Sequence, residues 1–396
     1  MSTRRQFLNH SGSLAAGSAL GASLVGCATL APAPGTAEML AMDSTQAVAA
    51  IRSGRMSAVA YTGALLARAD QLSDLHAFIA LDRDGALAAA LRVDAQRASG
   101  ATLPVLAGLP IVVKDNINTR DLPTTGGTPA LRAVRPGANA PSLQKLIDAG
   151  AIVLGKTNLH ELAFGITSTN LSPFAGPVRN PYDRTRIPGG SSGGTAAAIA
   201  ARIATSGLGT DTGGSTRVPA ALCGIVGLRP SVGNGGAQRR YTDTNAVVPI
   251  SHTRDTVGPM GRSVADVALL DAVVTGGTPA RALPLAGLRI GVPASFWAGL
   301  GRQVASVVGP ARERLAAAGV VFVDVDTVGL ADLNAKVWKI EVAVGDAVDA
   351  DATLLILESM KTEIPVDAPK AGRVKQILVA EEEAVVEGQV LAILEA

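Results

Sequence analysis

Two glycine loops that carry serines are where this chain could do chemistry. Residues 186–195 read R-I-P-G-G-S-S-G-G-T, with Ser191 and Ser192 between two glycine pairs; further on, 209–215 read G-T-D-T-G-G-S, and Ser215 follows another pair. Glycine loops that cradle nucleotide phosphates carry a Lys and then Ser or Thr after the last glycine, and neither loop does. Bare backbone around a hydroxyl has a second use: a carbonyl carbon can approach while N–H groups point at the oxygen that turns negative. Such a serine needs a base. Lys114, in 108–117 (G-L-P-I-V-V-K-D-N-I), directly follows an apolar run. There, loss of water disfavours the ammonium form and brings a neutral amine within reach. On that segment alone, the simpler reading is a strand-end cation paired with Asp115.

The elements that must position these residues follow from periodicity. From about Ser44 the pattern is helical: Val48 and Ile51, then Tyr61, Leu65 and Leu66 recur at helical spacing, with Ser44 and Ser57 placed as N-caps. Leu109 to Val113, Ala151 to Leu154 and Gly224 to Leu228 read as strands. Ser142 to Ala149, Thr195 to Ala201 and Val264 to Val274 read as helices. Leu288 to Val292, Val304 to Ala318 and Val320 to Val325 complete a strand, helix, strand unit. The alternation predicts an α/β body, a mostly parallel or mixed sheet covered by helices, with ligands at loops beyond strand ends.

Composition agrees with a globular protein. Of 396 residues, 47% are hydrophobic and only 17% charged, which argues against disorder. The net charge of +2 gives no reason to expect a nucleic-acid partner. The four histidines lack ligand spacing, so no metal site is predicted. Cys223, in the apolar stretch P-A-A-L-C-G, reads as a core thiol.

The start, M-S-T-R-R-Q-F-L-N, has a basic head, then a short apolar run and L-V-G-C ending at Cys27. This resembles a twin-arginine export signal that ends in a bacterial lipobox. The resemblance implies removal of 1–27, lipidation of Cys27, a linker over 28–44, and a periplasmic lipoprotein held to the membrane by that anchor only. Processing would also leave Cys223 without a disulfide partner.

The loops together go further than any one of them. The segment 188–194 (P-G-G-S-S-G-G) and the longer 209–229 (G-T-D-T-G-G-S-T-R-V-P-A-A-L-C-G-I-V-G-L-R) resemble the amidase signature family. So do 108–117, 150–158 (G-A-I-V-L-G-K-T-N) and 255–266 (D-T-V-G-P-M-G-R-S-V-A-D). The resemblance runs from about 45 to about 330, a domain set at 45–332. It implies a serine, second serine, lysine triad. Ser215 is then the nucleophile, Ser191 (rather than Ser192) the bridging serine with an unusual cis peptide, and Lys114 the terminal base. The backbone N–H groups of Thr212, Gly213, Gly214 and Ser215 would form the oxyanion hole. Asp211 and Arg217 either orient the nucleophile loop or form a simple ion pair. His160 reads as structural. Segments 160–167 (H-E-L-A-F-G-I-T) and 248–255 (V-P-I-S-H-T-R-D) resemble the branch that hydrolyses arylacetamides such as indoleacetamide or mandelamide.

After Asp326 the character changes. Residues 340–358 align with 377–395 at an offset of 37, Ile340 over Ile377 and Glu358 over Glu395. Two copies of a short β-rich half predict a small barrel or sandwich over 333–396 with pseudo-twofold symmetry. This module resembles the biotinyl and lipoyl carrier domains, with Lys361 in E-S-M-K-T-E at the modified position. Biotin on Lys361 is set against an unmodified structural domain: Thr362 stands for the usual second methionine, and Glu382-Glu383 for a Gly-Asp turn. A carrier would have a biotin ligase and carboxylase subunits as partners and would work in the cytoplasm, which the exported front end opposes. Family members continue past residue 337, so the amidase fold is expected to be incomplete on its C-terminal side. The leading expectation is an amidohydrolase that cleaves a small carboxamide through an acyl-enzyme on Ser215, without a cofactor. The alternative is a biotin carboxyl carrier with an inactive amidase portion.

Overall fold

The computed structural model describes residues 32–170, 174–232, 239–243, 245–297, 299–325, 335–359, 362–385 and 389–395. Cys27, with the whole export signal, and Lys361 lie outside the described residues. The first part of the chain runs α1 (Thr36–Ala41), α2 (Ser44–Arg52), α3 (Ala58–Gln71), β1 (Phe78–Leu81), α4 (Arg83–Ala98), β2 (Pro110–Lys114), α5 (Pro141–Asp148) and β3 (Ile152–Thr157). It continues with α6 (Gly193–Ala200), β4 (Ser206–Asp211), α7 (Arg217–Cys223), β5 (Val226–Gly227), β6 (Thr256–Gly261) and α8 (Val264–Thr275). Six strands form one mixed sheet in the order β1-β3-β2-β4-β6-β5. Its centre is parallel, β2 lying between β3 and β4, and the flanking pairings are antiparallel. Helices α4, α6 and α8 pack against its strands.

Local chemistry starts and stops these helices. Ser57 caps α3 by accepting the Ala60 N–H. At α2 the cap is Asp43, not Ser44: Asp43 and Gln46 form a reciprocal capping box. Ser44 is instead the first helical residue, fully buried, with its hydroxyl donating to Thr205 Oγ1 at 2.9 Å. Helix α8 begins on a Ser263–Asp266 box and ends at Gly276 in the left-handed region. Leu143 and Leu146 of α5 join Leu109, Ile111 and Val113 of the central strand region in one continuous core.

Strands β4 (S-G-L-G-T-D) and β6 (T-V-G-P-M-G) were not expected, because neither shows an apolar run or alternation. Both are fully buried at the sheet centre, where glycine serves close approach. A Cβ on Gly207 would stand 2.4 Å from the Val112 carbonyl oxygen, and one on Gly209 would stand 2.8 Å from Ser192 Oγ. The sequence of α6 (G-G-T-A-A-A-I-A) has the same meaning. Its small side chains let the helix backbone sit against the sheet, with a Cβ on Gly194 falling 2.3 Å from the Asn158 carbonyl oxygen.

The expected strand, helix, strand unit is present as β7 (Arg289–Pro293), α9 (Ala294–Trp297), α10 (Arg302–Ala317) and β8 (Val321–Val325). Strands β7 and β8 pair in parallel as a sheet of their own, separate from the six-stranded one.

The last segment is all β: β9 (Ala335–Ile340), β10 (Ala347–Val348), β11 (Thr353–Ser359), β12 (Thr362–Asp367), β13 (Gly372–Ile377), β14 (Ala384–Val385) and β15 (Ala392–Glu395). They form two sheets, β10-β13-β15 and β12-β11-β9-β14. The 37-residue repeat in the sequence is a repeat in the hydrogen bonds. Gly345 N–H donates to the Val374 carbonyl and Glu382 N–H to the Val337 carbonyl; Val374 N–H donates to Asp346 and Val337 N–H to Glu383. Each half therefore closes the turn of the other, which is the signature of a pseudo-twofold axis. Two small cores follow the same exchange, one built on Val337 and Val385, the other on Val374 and Val348.

Candidate active site

Lys114 is the last residue of β2, and the alternation of a strand decides what it meets. Asp115, the next residue, points to the opposite side. The partner of Asp115 is therefore a different lysine from the one the simpler reading gave it. Asp115 instead makes an ion pair at 3.2 Å with Lys156 of β3, both side chains being almost wholly buried. Lys114 is completely buried, and its Nζ donates to Ser191 Oγ at 2.7 Å and to Thr210 Oγ1 at 2.7 Å. Asn116 Nδ2 also donates to Thr210 Oγ1, at 3.0 Å. Thr210, near the end of β4, thus fixes the lysine head from the neighbouring strand.

The two serines of the first loop have separate tasks. The Gly190–Ser191 peptide is cis. Ser191 meets Lys114, whereas the Ser192 hydroxyl is tied to the β4 backbone, accepting from Thr210 N–H at 3.3 Å and donating to Thr210 O at 3.2 Å. The Ser192 N–H donates to the Ser215 carbonyl at 3.2 Å, which fastens the second loop to the first. Ser215 is 1% exposed and lies in the turn between β4 and α7. Lys114, Ser191 and the Ser215 backbone are in this way brought to the carboxyl ends of β2 and β4, as open α/β sheets place their ligand sites.

Asp211 organises the second loop. Its Oδ1 accepts from Gly214 N–H at 2.8 Å, and its Oδ2 from Thr216 N–H at 3.1 Å and Thr216 Oγ1 at 2.9 Å. Arg217 binds both oxygens, each at 3.0 Å. Orienting carboxylate and ion pair, posed as alternatives by the sequence, are one arrangement. Burial pushes the Asp211 carboxyl up, but the Arg217 hydrogen bonds, the Gly214 N–H and the cationic charge outweigh it and hold it well below the usual carboxylate range. One expectation needs correction. The Gly214 N–H, counted among four oxyanion donors, is taken by Asp211, because Gly214 stands at φ +118 and turns its amide toward the carboxylate. Thr212, Gly213 and Ser215 remain from the expected set. The N–H groups of Thr212 and Gly213 donate to no partner among the described residues, and Gly213 is the half-exposed member of the loop.

Several functional neighbours were missed. Arg229 closes the long 209–229 motif and places Nε 3.3 Å from Asp211, a second cation on the same carboxylate. Lys156 sits inside the quoted 150–158 motif, but a lysine in a strand gave no sign that it would be buried. Burial lowers its ammonium to about 8 even though Asp115 opposes the shift. Its Nζ also donates to Ile117 O at 2.8 Å and Thr124 Oγ1 at 2.9 Å, so it ties down the loop that follows β2. His160 touches the site through backbone, its N–H donating to the Ser191 carbonyl at 3.1 Å. Cys223 is a buried free thiol pushed up to about 12 by burial, its Sγ donating to Pro188 O at 3.4 Å.

With this geometry in place, the chain can be set beside known proteins. The amidase family model matches residues 60–368. The chain belongs to the amidase family. That span runs beyond 332 into the β repeat. The chain is 42% identical over 284 residues to the mandelamide hydrolase of Pseudomonas putida, covering 71% of this chain and 55% of that protein. It is 44% identical over 273 residues to the indoleacetamide hydrolase of Agrobacterium vitis, covering 68% and 56%. The native peptide amidase of Stenotrophomonas maltophilia superposes with a TM-score of 0.62 at 35% identity over 72% of this chain and 62% of that one. The chain thus spans about half the length of the curated relatives it matches. Family membership agrees with the mixed α/β fold described above.

Proposed function

We propose that the protein hydrolyses a small carboxamide through an acyl-enzyme on Ser215, with Ser191 and Lys114 as a proton relay. The observation that carries this reading is the buried 2.7 Å contact between Lys114 Nζ and Ser191 Oγ, one residue from the Ser192–Ser215 backbone bond. Lys114 as a neutral amine takes the Ser191 hydroxyl proton, and Ser191 takes that of Ser215. Meanwhile the amine keeps an N–H donated to Thr210, which holds its lone pair toward Ser191. The Ser215 alkoxide adds to the amide carbon, and the carbonyl oxygen gains the negative charge beside the N–H groups of Thr212, Gly213 and Ser215. Each such donor is typically worth about 3 kcal/mol of barrier. The C–N bond then breaks, and the proton returns along the relay to the leaving amine. Water hydrolyses the ester with the relay acting as base again. Aryl carboxamides are the substrate class favoured by likeness to the mandelamide and indoleacetamide hydrolases. A fluorophosphonate probe tests this: wild type is labelled and Ser215→Ala is not. Labelling that survives Ser215→Ala overturns it.

A second reading concerns the C-terminal β segment and rests on the reciprocal hydrogen bonds of its two halves together with the sequence E-S-M-K-T-E around Lys361. By its likeness to biotinyl carrier domains, biotin on Lys361 is proposed as a second function of the chain. A streptavidin blot that is lost in Lys361→Arg supports it; a chain of unmodified mass from cells with biotin ligase removes it. Export is likewise proposed: twin-arginine translocation and lipidation at Cys27 would place the wild-type chain, and not Cys27→Ala, in the membrane fraction.

A further inference from the structure

Ser168 has no assigned part in the relay, yet it touches the peptide that bears the bridging hydroxyl. It is fully buried and stands at φ 54, in the left-handed region that a residue with a side chain rarely adopts. Its Oγ donates to the Ser191 carbonyl oxygen at 3.2 Å and accepts the Gly193 N–H at 3.0 Å. One hydroxyl has one hydrogen to give and lone pairs to receive, so both bonds are satisfied at once. The Ser168 carbonyl accepts the Val178 N–H at 3.1 Å, which anchors the residue from behind.

Both sides of this contact are shaped for it. A Cβ on Gly193 would fall 2.2 Å from Ser168 Oγ, and one on Gly190 would fall 2.7 Å from Ser168 N. Gly193 is the first residue of α6, and the preceding N-cap, Ser192, makes no side-chain cap bond because its hydroxyl is held by Thr210. The helix start therefore takes its cap from another part of the chain.

We propose that Ser168 is a positioning residue for the proton relay: it fixes the carbonyl of Ser191, and with it the direction in which the Ser191 hydroxyl faces Lys114. This rests on the relay proposed above. His160 N–H alone would then hold the Ser191 carbonyl in a variant without the hydroxyl, and the Ser191 peptide could shift relative to Lys114. A displacement of about 1 Å at a reacting group is enough for a loss on the order of 100-fold.

The test uses the full chain with Ser168→Ala and Ser168→Gly, the second of which removes the hydroxyl while easing the left-handed backbone. Three readouts are taken on each: the rate of fluorophosphonate labelling at Ser215, kcat and KM on an aryl carboxamide, and hydrogen exchange at Gly193 with the melting temperature. Labelling and kcat are expected to fall about 10- to 100-fold with KM within about twofold. Exchange at Gly193 should speed up while the amides of the sheet strands keep their protection. Labelling within about twofold of wild type in both variants overturns the proposal, and so does a loss that appears only with sheet-wide exchange and a collapsed melting temperature. Absence of labelling in wild type would sink the nucleophile assignment instead. Gly193 exchange then decides on Ser168 alone: faster exchange supports the clamp and unchanged exchange refutes it.

Discussion

At the residue scale, four ionisable groups, Lys114, Lys156, Asp115 and Asp211, sit where water does not reach, and they have three different consequences. Lys114 is bound by hydroxyls, and Lys114→Met should slow turnover by about 100- to 10,000-fold while the melting curve stays near wild type, measured by steady-state kinetics. Lys156 and Asp115 neutralise one another on the other side of the sheet. Lys156→Met leaves a buried carboxylate and should destabilise the protein by about 3–5 kcal/mol in urea titrations, with Lys156→Met/Asp115→Asn recovering a large part. Asp211 is a carboxyl with a depressed folded pKa, so its stabilisation is complete above the unfolded value of about 4 and disappears only as pH falls through the lower folded value. The stability gap between wild type and Asp211→Asn should be flat from about pH 5 to 8 and narrow in stronger acid, as chemical denaturation at a series of pH values would report. That Lys114 lies beside Ser191, and the Ser191 loop beside Ser215, follows from segments that the resemblance already singled out. Thr210, Ser168 and Arg229 were not legible in the sequence, since a lone Thr, Ser or Arg carries no signal until the fold brings it to a partner.

At the element scale, the helices and strands with strong apolar periodicity were readable to within a few residues: Val264 to Val274 is α8, and Val304 to Ala318 is α10. The glycine-rich strands β4 and β6 were invisible for the reason that makes them work, which is that their side chains are absent to admit a neighbouring backbone. The turns of the β repeat show a further case. Gly345 stands at φ 100 and its counterpart one repeat later is Glu382 at φ 68. The same carboxylate contact recurs after each: Asp346 accepts the Ala343 N–H at 2.8 Å, and Glu383 accepts the Ala380 N–H at 2.9 Å. The reservation about Glu382 in place of glycine is thus met by a strained backbone. Glu382→Gly should stabilise this segment by about 1 kcal/mol, read as a shift in the midpoint of its thermal unfolding.

At the scale of the whole molecule, the large core runs from Met42 to Val274, and the two small cores are made only of residues from Val337 onward. With no hydrophobic cluster shared between them among the described residues, calorimetry of the intact chain should resolve two transitions, the Glu382→Gly change moving one and the Lys156→Met change the other. The 37-residue repeat is visible in the sequence, whereas the reciprocal closing of turns between its halves appears only in the folded chain. The central claim is that a buried lysine, through Ser191, makes Ser215 the reactive oxygen. The most direct measurement is mass spectrometry of the fluorophosphonate-treated protein, wild type against Lys114→Met. The relay predicts an adduct on the peptide containing Ser215, formed at least about 100-fold more slowly in Lys114→Met. An adduct on another residue, or an equal rate in the variant, would contradict it.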